Sequence, residues 1–164
     1  VDADFCGLFK FDQNPNAARS RTGFVVLLGG FPLIWKSQLQ ASMACSTLEA
    51  EYTALSYALK AFLPLKRMLL EATTHLSIPP EIPASIHATV FEDNQGCLSM
   101  VNVPKMSTRN KYLSLKYHFF RSHIGEQKGI VAKYIRSQDQ KADILTKGLP
   151  PEQFQTVRKL LIGW

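Results

Sequence analysis

The chain has 164 residues, 46% of them hydrophobic, and carries a formal charge of +6. That is enough chain for one domain with a sizeable core, and the apolar content excludes wholesale disorder. The positive balance favours a polyanionic partner. No apolar run approaches the ~18–20 residues of a membrane span, and no signal-peptide pattern opens the chain. The three cysteines, Cys6, Cys45 and Cys97, show neither zinc-site nor disulfide-framework spacing. They read as reduced thiols of an intracellular protein.

In chain order, residues 2–6 read as a strand stub. The first residue is Val, and Asp2 follows at once, which predicts a first strand cut short and a piece of a longer polypeptide. The Asn-rich stretch from Asp12 to Ala18 is a turn or loop. Thr22 to Leu28 is β-branched and apolar, Gly29-Gly30 a tight turn, and Leu33 to Lys36 a short strand; together they predict a hairpin. A helix is expected over 46–62. Ser46 is its N-cap and Glu49, three residues on, completes a capping box. Pro64 predicts a kink or break near 60–64.

Three prolines make 77–83 a connector, and Ile86 to Phe91 a strand ending at Glu92 and Asp93. Gly96 to Val101 reads as a short helix, 104–108 as a loop, and Tyr112 to Gln127 as a basic, aromatic helix broken by Gly129. Ile130 to Ile135 is a strand, Lys141 to Lys147 a helical turn or two, and Glu152 to Leu161 a closing helix after Pro150-Pro151. The order predicts a mixed α/β sheet with helices packed on it.

Four carboxylates stand in suggestive local patterns: Asp2, Glu51, Asp93 and Asp143. The capping box gives Glu49 a structural task and leaves Glu51 without one. Each of the others has a neighbour that competes for the same role. Asp4 shares the strand face of Asp2 by the period of two, Glu92 points to the face opposite Asp93, and Asp139 precedes Asp143. Taken singly, each could be a solvated surface acid. If the four converge, two like charges at 4 Å repel by roughly 4 kcal/mol at an effective dielectric of ~20, so the cluster needs protons or cations. Oxygen donors favour Mg²⁺ or Mn²⁺, and a pair of such ions suits phosphodiester hydrolysis.

Long motifs along the chain carry a resemblance. They are Val-Asp-Ala-Asp-Phe at 1–5, Arg-Ser-Arg-Thr-Gly-Phe-Val-Val-Leu-Leu-Gly-Gly at 19–30 and Ile-Trp-Lys-Ser at 34–37. Ser-Thr-Leu-Glu-Ala-Glu-Tyr-Thr-Ala-Leu-Ser at 46–56, Glu-Asp-Asn-Gln-Gly at 92–96, Leu-Lys-Tyr-His-Phe-Phe-Arg at 115–121 and Lys-Ala-Asp-Ile-Leu-Thr-Lys-Gly-Leu-Pro at 141–150 complete the set. With these the chain resembles the ribonuclease H domain of copia-type LTR retrotransposon polyproteins.

The resemblance implies a single domain over 1–164 with a ribonuclease H-like α/β fold. Its sheet would have five strands, the first three antiparallel, flanked by helices. It implies that Asp2, Glu51, Asp93 and Asp143 are catalytic and hold two Mg²⁺, with Mn²⁺ as a substitute. The implied substrate is an RNA–DNA hybrid, cut in its RNA strand. Gln95 and Asn94 would touch the hybrid, and the basic run Arg109, Lys111, Lys116 and Arg121 would grip it, with a solvated helix face as the structural alternative for that run. The implied partner is a reverse transcriptase domain of the same polyprotein, in a cytoplasmic retrotransposon particle. Neither a membrane nor a small-molecule ligand is expected.

Three departures stand out. Asn110-Lys111-Tyr112-Leu113-Ser114 replaces the usual run before the Tyr-His-Phe motif, Pro64 replaces an aromatic, and 136–140 contains no histidine to serve as a proton shuttle. A catalytically decayed module that only binds nucleic acid is the second reading. A transposase or integrase on the same fold is the third, and Glu51 on the first helix argues against it.

Overall fold

The structure, a computed structural model, describes residues 1–7, 9, 14–76, 85–102 and 118–163. Three antiparallel strands come first: β1 (Asp2–Asp4), β2 (Arg21–Leu28) and β3 (Phe31–Leu39), in spatial order β1-β2-β3. Asp2 pairs with Gly23 and Asp4 with Arg21. β1 is shorter than the expected 2–6 because Cys6 turns the chain at φ 52°, a left-handed conformation that no strand continues. The β2–β3 hairpin closes through Gly29 and Gly30, both at positive φ (59° and 90°), as a two-residue primed turn requires. β3 is twice as long as expected, and a bulge at Val26/Leu27 accommodates Pro32 in an outer strand.

Helix α1 (Thr47–His75) starts where the capping signal puts it: Ser46 Oγ accepts the Glu49 N–H at 3.1 Å. Glu49 reaches one residue beyond the cap and accepts the Cys45 N–H at 2.8 Å. The expected break near Pro64 does not occur, and the helix runs through it. Pro64 denies a partner only to the Lys60 carbonyl, on an exposed stretch, while Ala61, Phe62 and Leu63 pack against the core and hold the helix on course. Inward, Tyr52, Leu55 and Leu59 recur at helical spacing, with Ala54 and Ala58 letting the helix lie close to the strands. Phe24 of β2, Phe120 and Ile130 complete this core; Tyr52 packs on Phe120 at 5.0 Å between ring centroids.

The second half contributes β4 (Ala88–Glu92), α2 (Gln95–Asn102) and β5 (Ile130–Tyr134), with β4 and β5 paired in parallel. The chain closes with α3 (Pro151–Ile162). The expected helix from Tyr112 lies outside the described residues as far as 117. Beyond that it is not an α-helix but two short 3₁₀ turns, Phe119–His123 and Glu126–Lys128. Gly125, at φ 147° and ψ 152°, separates them in a conformation that favours glycine.

Nor is there one five-stranded sheet. The described strands form a three-stranded antiparallel sheet and a two-stranded parallel one. β1 spans three residues, and its side towards β4 is met by a single backbone hydrogen bond, from the Val1 ammonium to the Phe91 carbonyl at 3.1 Å. One bond is too few to make a ladder.

The face of β2 opposite α1 is covered by the 3₁₀ turn Lys141–Leu145, and α3 packs on that turn and on β3. Gly23 makes this fit possible: a Cβ there would stand 2.5 Å from Thr146 Cγ2 and 2.9 Å from Leu145 Cβ. Gly23→Ala is therefore expected to cost about 1–3 kcal/mol by overpacking, read as a lower urea midpoint at unchanged slope. A variant as stable as the parent would show that the turn does not press on β2.

Candidate metal centre

Four different elements carry the acids. Asp2 lies on β1, Glu51 in the second turn of α1, Asp93 just beyond β4, and Asp143 in the 3₁₀ turn Lys141–Leu145. Local sequence explains each placement. The cap at Ser46 sets the phase of α1 so that Glu51 points inward. Gln140 anchors the turn that bears Asp143: its Oε1 accepts the Ala142 N–H at 3.3 Å, and its Nε2 donates to the Val1 carbonyl at 2.7 Å. Thr146 ties the turn to β1 by donating its hydroxyl to Asp2 Oδ2 and to the Asp143 carbonyl.

Asp2, Glu51 and Asp93 each offer a carboxylate oxygen, and these oxygens all lie within 4.8 Å of one another. Asp143 stands next to this group rather than in it. It is 2% exposed, feels the charges of Asp2 and Asp93, and its Oδ2 meets Lys147 Nζ at 3.0 Å. So the structure brings three of the four predicted acids together and pairs the fourth with a lysine. Two competitors take other places. Asp139 is spent on a surface ion pair with Arg136 at 2.7 Å. Asp4 shares the Asp2 face, as the strand period requires, and its carboxyl is raised by burial against the pull of Lys147.

Glu92 is fully buried and accepts the Asn94 N–H at 3.1 Å. It is also the largest charge acting on Glu51. Sequence reasoning treated it only as an alternative to Asp93; both in fact belong to one acidic neighbourhood. Lys147 and Thr146 were not singled out either. Their signal was the spacing i+4 and i+3 from Asp143, which returns side chains to the same face of a helical turn.

The electrostatics are severe. Burial, then Glu92, Asp2 and Asp93, push Glu51 up to about 10. Burial raises Glu92 to about 8, against the chain's first ammonium and the Asn94 N–H. Burial and then Asp2 raise Asp143 to about 6 despite Lys147. For Lys147, burial opposes the charge, but Asp143 and the neighbouring acids hold the ammonium above its ordinary range. Glu51 Oε2, Glu92 Oε2 and Asp143 Oδ1 are buried with no hydrogen-bond partner. A buried polar atom left unmet costs about 1–3 kcal/mol, more if charged. An all-oxygen donor set with orphaned buried oxygens fits a hard divalent cation.

The other predicted contacts divide. Gln95 is exposed at the first turn of α2, beside Asp93. Asn94 has a structural task, its Oδ1 accepting the Cys97 N–H at 2.9 Å as the cap of α2. Arg121 lies in the 3₁₀ turn Phe119–His123, where its charge acts on Tyr52. Arg109, Lys111 and Lys116 lie outside the described residues. The three cysteines are free thiols, and no described helix is long and apolar enough to cross a membrane.

Comparison with known proteins finds the chain similar to transposon polyproteins. It is 29% identical over 161 residues, 98% of its length, to the retrovirus-related Pol polyprotein from transposon TNT 1-94 of Nicotiana tabacum. It is 30% identical over 136 residues (83% of the chain) to that from transposon RE2, and 29% over 154 residues (94%) to that from RE1, both of Arabidopsis thaliana. The chain spans 9% to 11% of the length of these curated relatives. No family model and no solved structure matches it.

The raised carboxyls reverse the usual acid behaviour. Each holds its proton more tightly when folded, so the folded protein binds more protons than the unfolded chain from about pH 4 upward and loses stability as pH rises. The loss extends through about 6 for Asp143, 8 for Glu92 and 10 for Glu51. In metal-free buffer the melting temperature should fall from about pH 5 to about pH 8, and Mg²⁺ should restore it more at the upper end. A melting temperature that rises over that interval and ignores Mg²⁺ would count against the cluster.

Proposed function

We propose that this chain is a ribonuclease H domain of a transposon Pol polyprotein, an endonuclease that hydrolyses the RNA strand of an RNA–DNA hybrid. The observation that carries the reading is the convergence of Asp2, Glu51 and Asp93 around one point, with Asp143 beside them. The similarity to retrovirus-related Pol polyproteins of transposons supports it. The element order supports it as well: three antiparallel strands, a long helix, then a parallel β-α-β unit is the succession expected of a ribonuclease H-like sheet.

Two Mg²⁺ ions, or Mn²⁺ in their place, supply an activated water and a stabilised leaving oxygen when bound. The chain's own residues hold and orient. Glu51, Asp2 and Asp93 present oxygens from three separate elements, which fixes their spacing through the core rather than through a loop. Thr146 fixes the rotamer of Asp2, and Gln140 holds the Asp143 turn against β1. Hydrolysis forms one phosphorus–oxygen bond from water and breaks that to the 3′-oxygen, leaving 5′-phosphate and 3′-hydroxyl ends. No histidine stands in 136–140, so no proton shuttle is assigned to that stretch.

Gln95, exposed beside Asp93, is the side chain best placed to touch the hybrid. Asn94 supports it through the cap. Arg109, Lys111, Lys116 and Arg121 supply phosphate contacts, which make affinity salt-dependent. Discrimination for RNA rests on 2′-hydroxyls and hybrid shape. The reverse transcriptase domain of the same polyprotein supplies the hybrid, inside a cytoplasmic particle, with no part for a membrane or a small-molecule ligand.

The test is cleavage of a labelled RNA–DNA hybrid with Mg²⁺, with single-stranded RNA and duplex DNA as controls. Only the hybrid should be cut, chelator should stop the reaction, and Asp93→Asn should lose at least about a hundredfold in rate. Binding without cutting would replace the nuclease with a nucleic-acid-binding module, and an active Asp93→Asn variant would overturn the site.

A further inference from the structure

The acidic cluster has two unlike parts. The first lies among Asp2, Glu51 and Asp93, whose oxygens converge within 4.8 Å. Glu51 is 7% exposed, and its Oε2 is buried without a partner. The second lies at Asp143, whose Oδ2 is held at 3.0 Å by Lys147 Nζ. That pair is lopsided. The Asp143 side chain is 3% exposed, whereas that of Lys147 is 43% exposed. The acid cannot leave, but the ammonium can swing into solvent on its flexible stem. The other oxygen of Asp143, Oδ1, remains buried and unpartnered.

The backbone favours this pairing before any ion arrives. The Lys147 N–H bonds to the Asp143 carbonyl at 3.2 Å, closing the turn so that the side chain at i+4 returns over Asp143. Lys147 also feels Asp2 and Asp93, so its charge serves the whole cluster rather than one partner.

We propose that Lys147 is a built-in counter-cation that occupies the Asp143 side of the site and must be displaced before a second divalent ion can bind there. This rests on the metal-dependent reading above and deepens it. One ion binds tightly to Asp2, Glu51 and Asp93, and the second binds weakly while Lys147 is in place. An incoming phosphodiester changes that balance. Its negative charge attracts the second ion and gives the displaced ammonium a new partner. Filling of the second place is thereby coupled to arrival of substrate, and Lys147 is a positioning residue rather than a ligand.

Counting bound Mn²⁺ by the loss of its free-ion paramagnetic resonance signal, without nucleic acid, tests this directly. The unaltered protein should take up one ion tightly and a second only at much higher concentration. In Lys147→Met, of similar length and no charge, the second ion should tighten by on the order of tenfold while the first changes little. Lys147→Arg keeps the charge and should keep the second ion weak, so a merely structural effect of substitution would separate from a loss of charge. Circular dichroism melts establish that both variants fold. A first ion that binds normally with a second that Lys147→Met leaves unchanged would overturn this inference and spare the nuclease reading. A protein that takes up no Mn²⁺ at all would overturn both.

Discussion

Like charge forced into low dielectric is the constraint around which this molecule is arranged. Asp2, Glu51, Glu92 and Asp143 are all buried, and each raises or feels the charge of another. Left ionised without cations, such a group is unfavourable by more than any single hydrogen bond can offset. The fold tolerates it because the apolar packing lies elsewhere. Tyr52, Leu55 and Leu59 face inward along α1, and Phe120 and Ile130 meet them from the second half of the chain. The core holds α1 and the strands in position, and the acids are carried with them.

Each element that bears an acid also carries a device that fixes it. On α1 it is the Ser46 cap, which sets helical phase. At β4 it is the Asn94 cap of α2, which holds the backbone immediately after Asp93. In the 141–145 turn it is Gln140 and Thr146, both bonded to β1, seated in the space that Gly23 leaves open. Apart from Asn94, none of these residues would draw notice for chemistry, yet together they set where the carboxylates point.

Much of this was legible in the residues. The β-branched apolar run and the Gly29-Gly30 turn marked the hairpin, and the capping box marked the start of α1, because those signals are local. The separation of Glu49 from Glu51 followed from the same capping logic. Pro64 misled, because the cost of one missing hydrogen bond was outweighed by the core contacts of residues 61–63, which no local pattern reveals. In the described part of the helix expected through 127 there are two 3₁₀ turns instead, parted by Gly125, whose conformation depends on how the chain returns to β5. Glu92 was set below Asp93 because Asp93 stands at the strand end and the two point to opposite faces by strand alternation. That rule gives the face a side chain takes, not what the next helix places against it. Lys147 escaped because a lysine beside an aspartate is ordinary on a surface, and only tertiary packing buries the aspartate.

The joint between the two sheets gives the acids a second significance. Among the described residues the two sheets are joined by one backbone hydrogen bond, from Val1 to Phe91. Asp2 stands on one side of that seam and Asp93 on the other, with Glu51 leaning in from α1. Any ion these three share is therefore also a rivet: it fastens the halves of the molecule at the line where the backbone holds them least, so stiffness there and occupancy of the centre become one quantity.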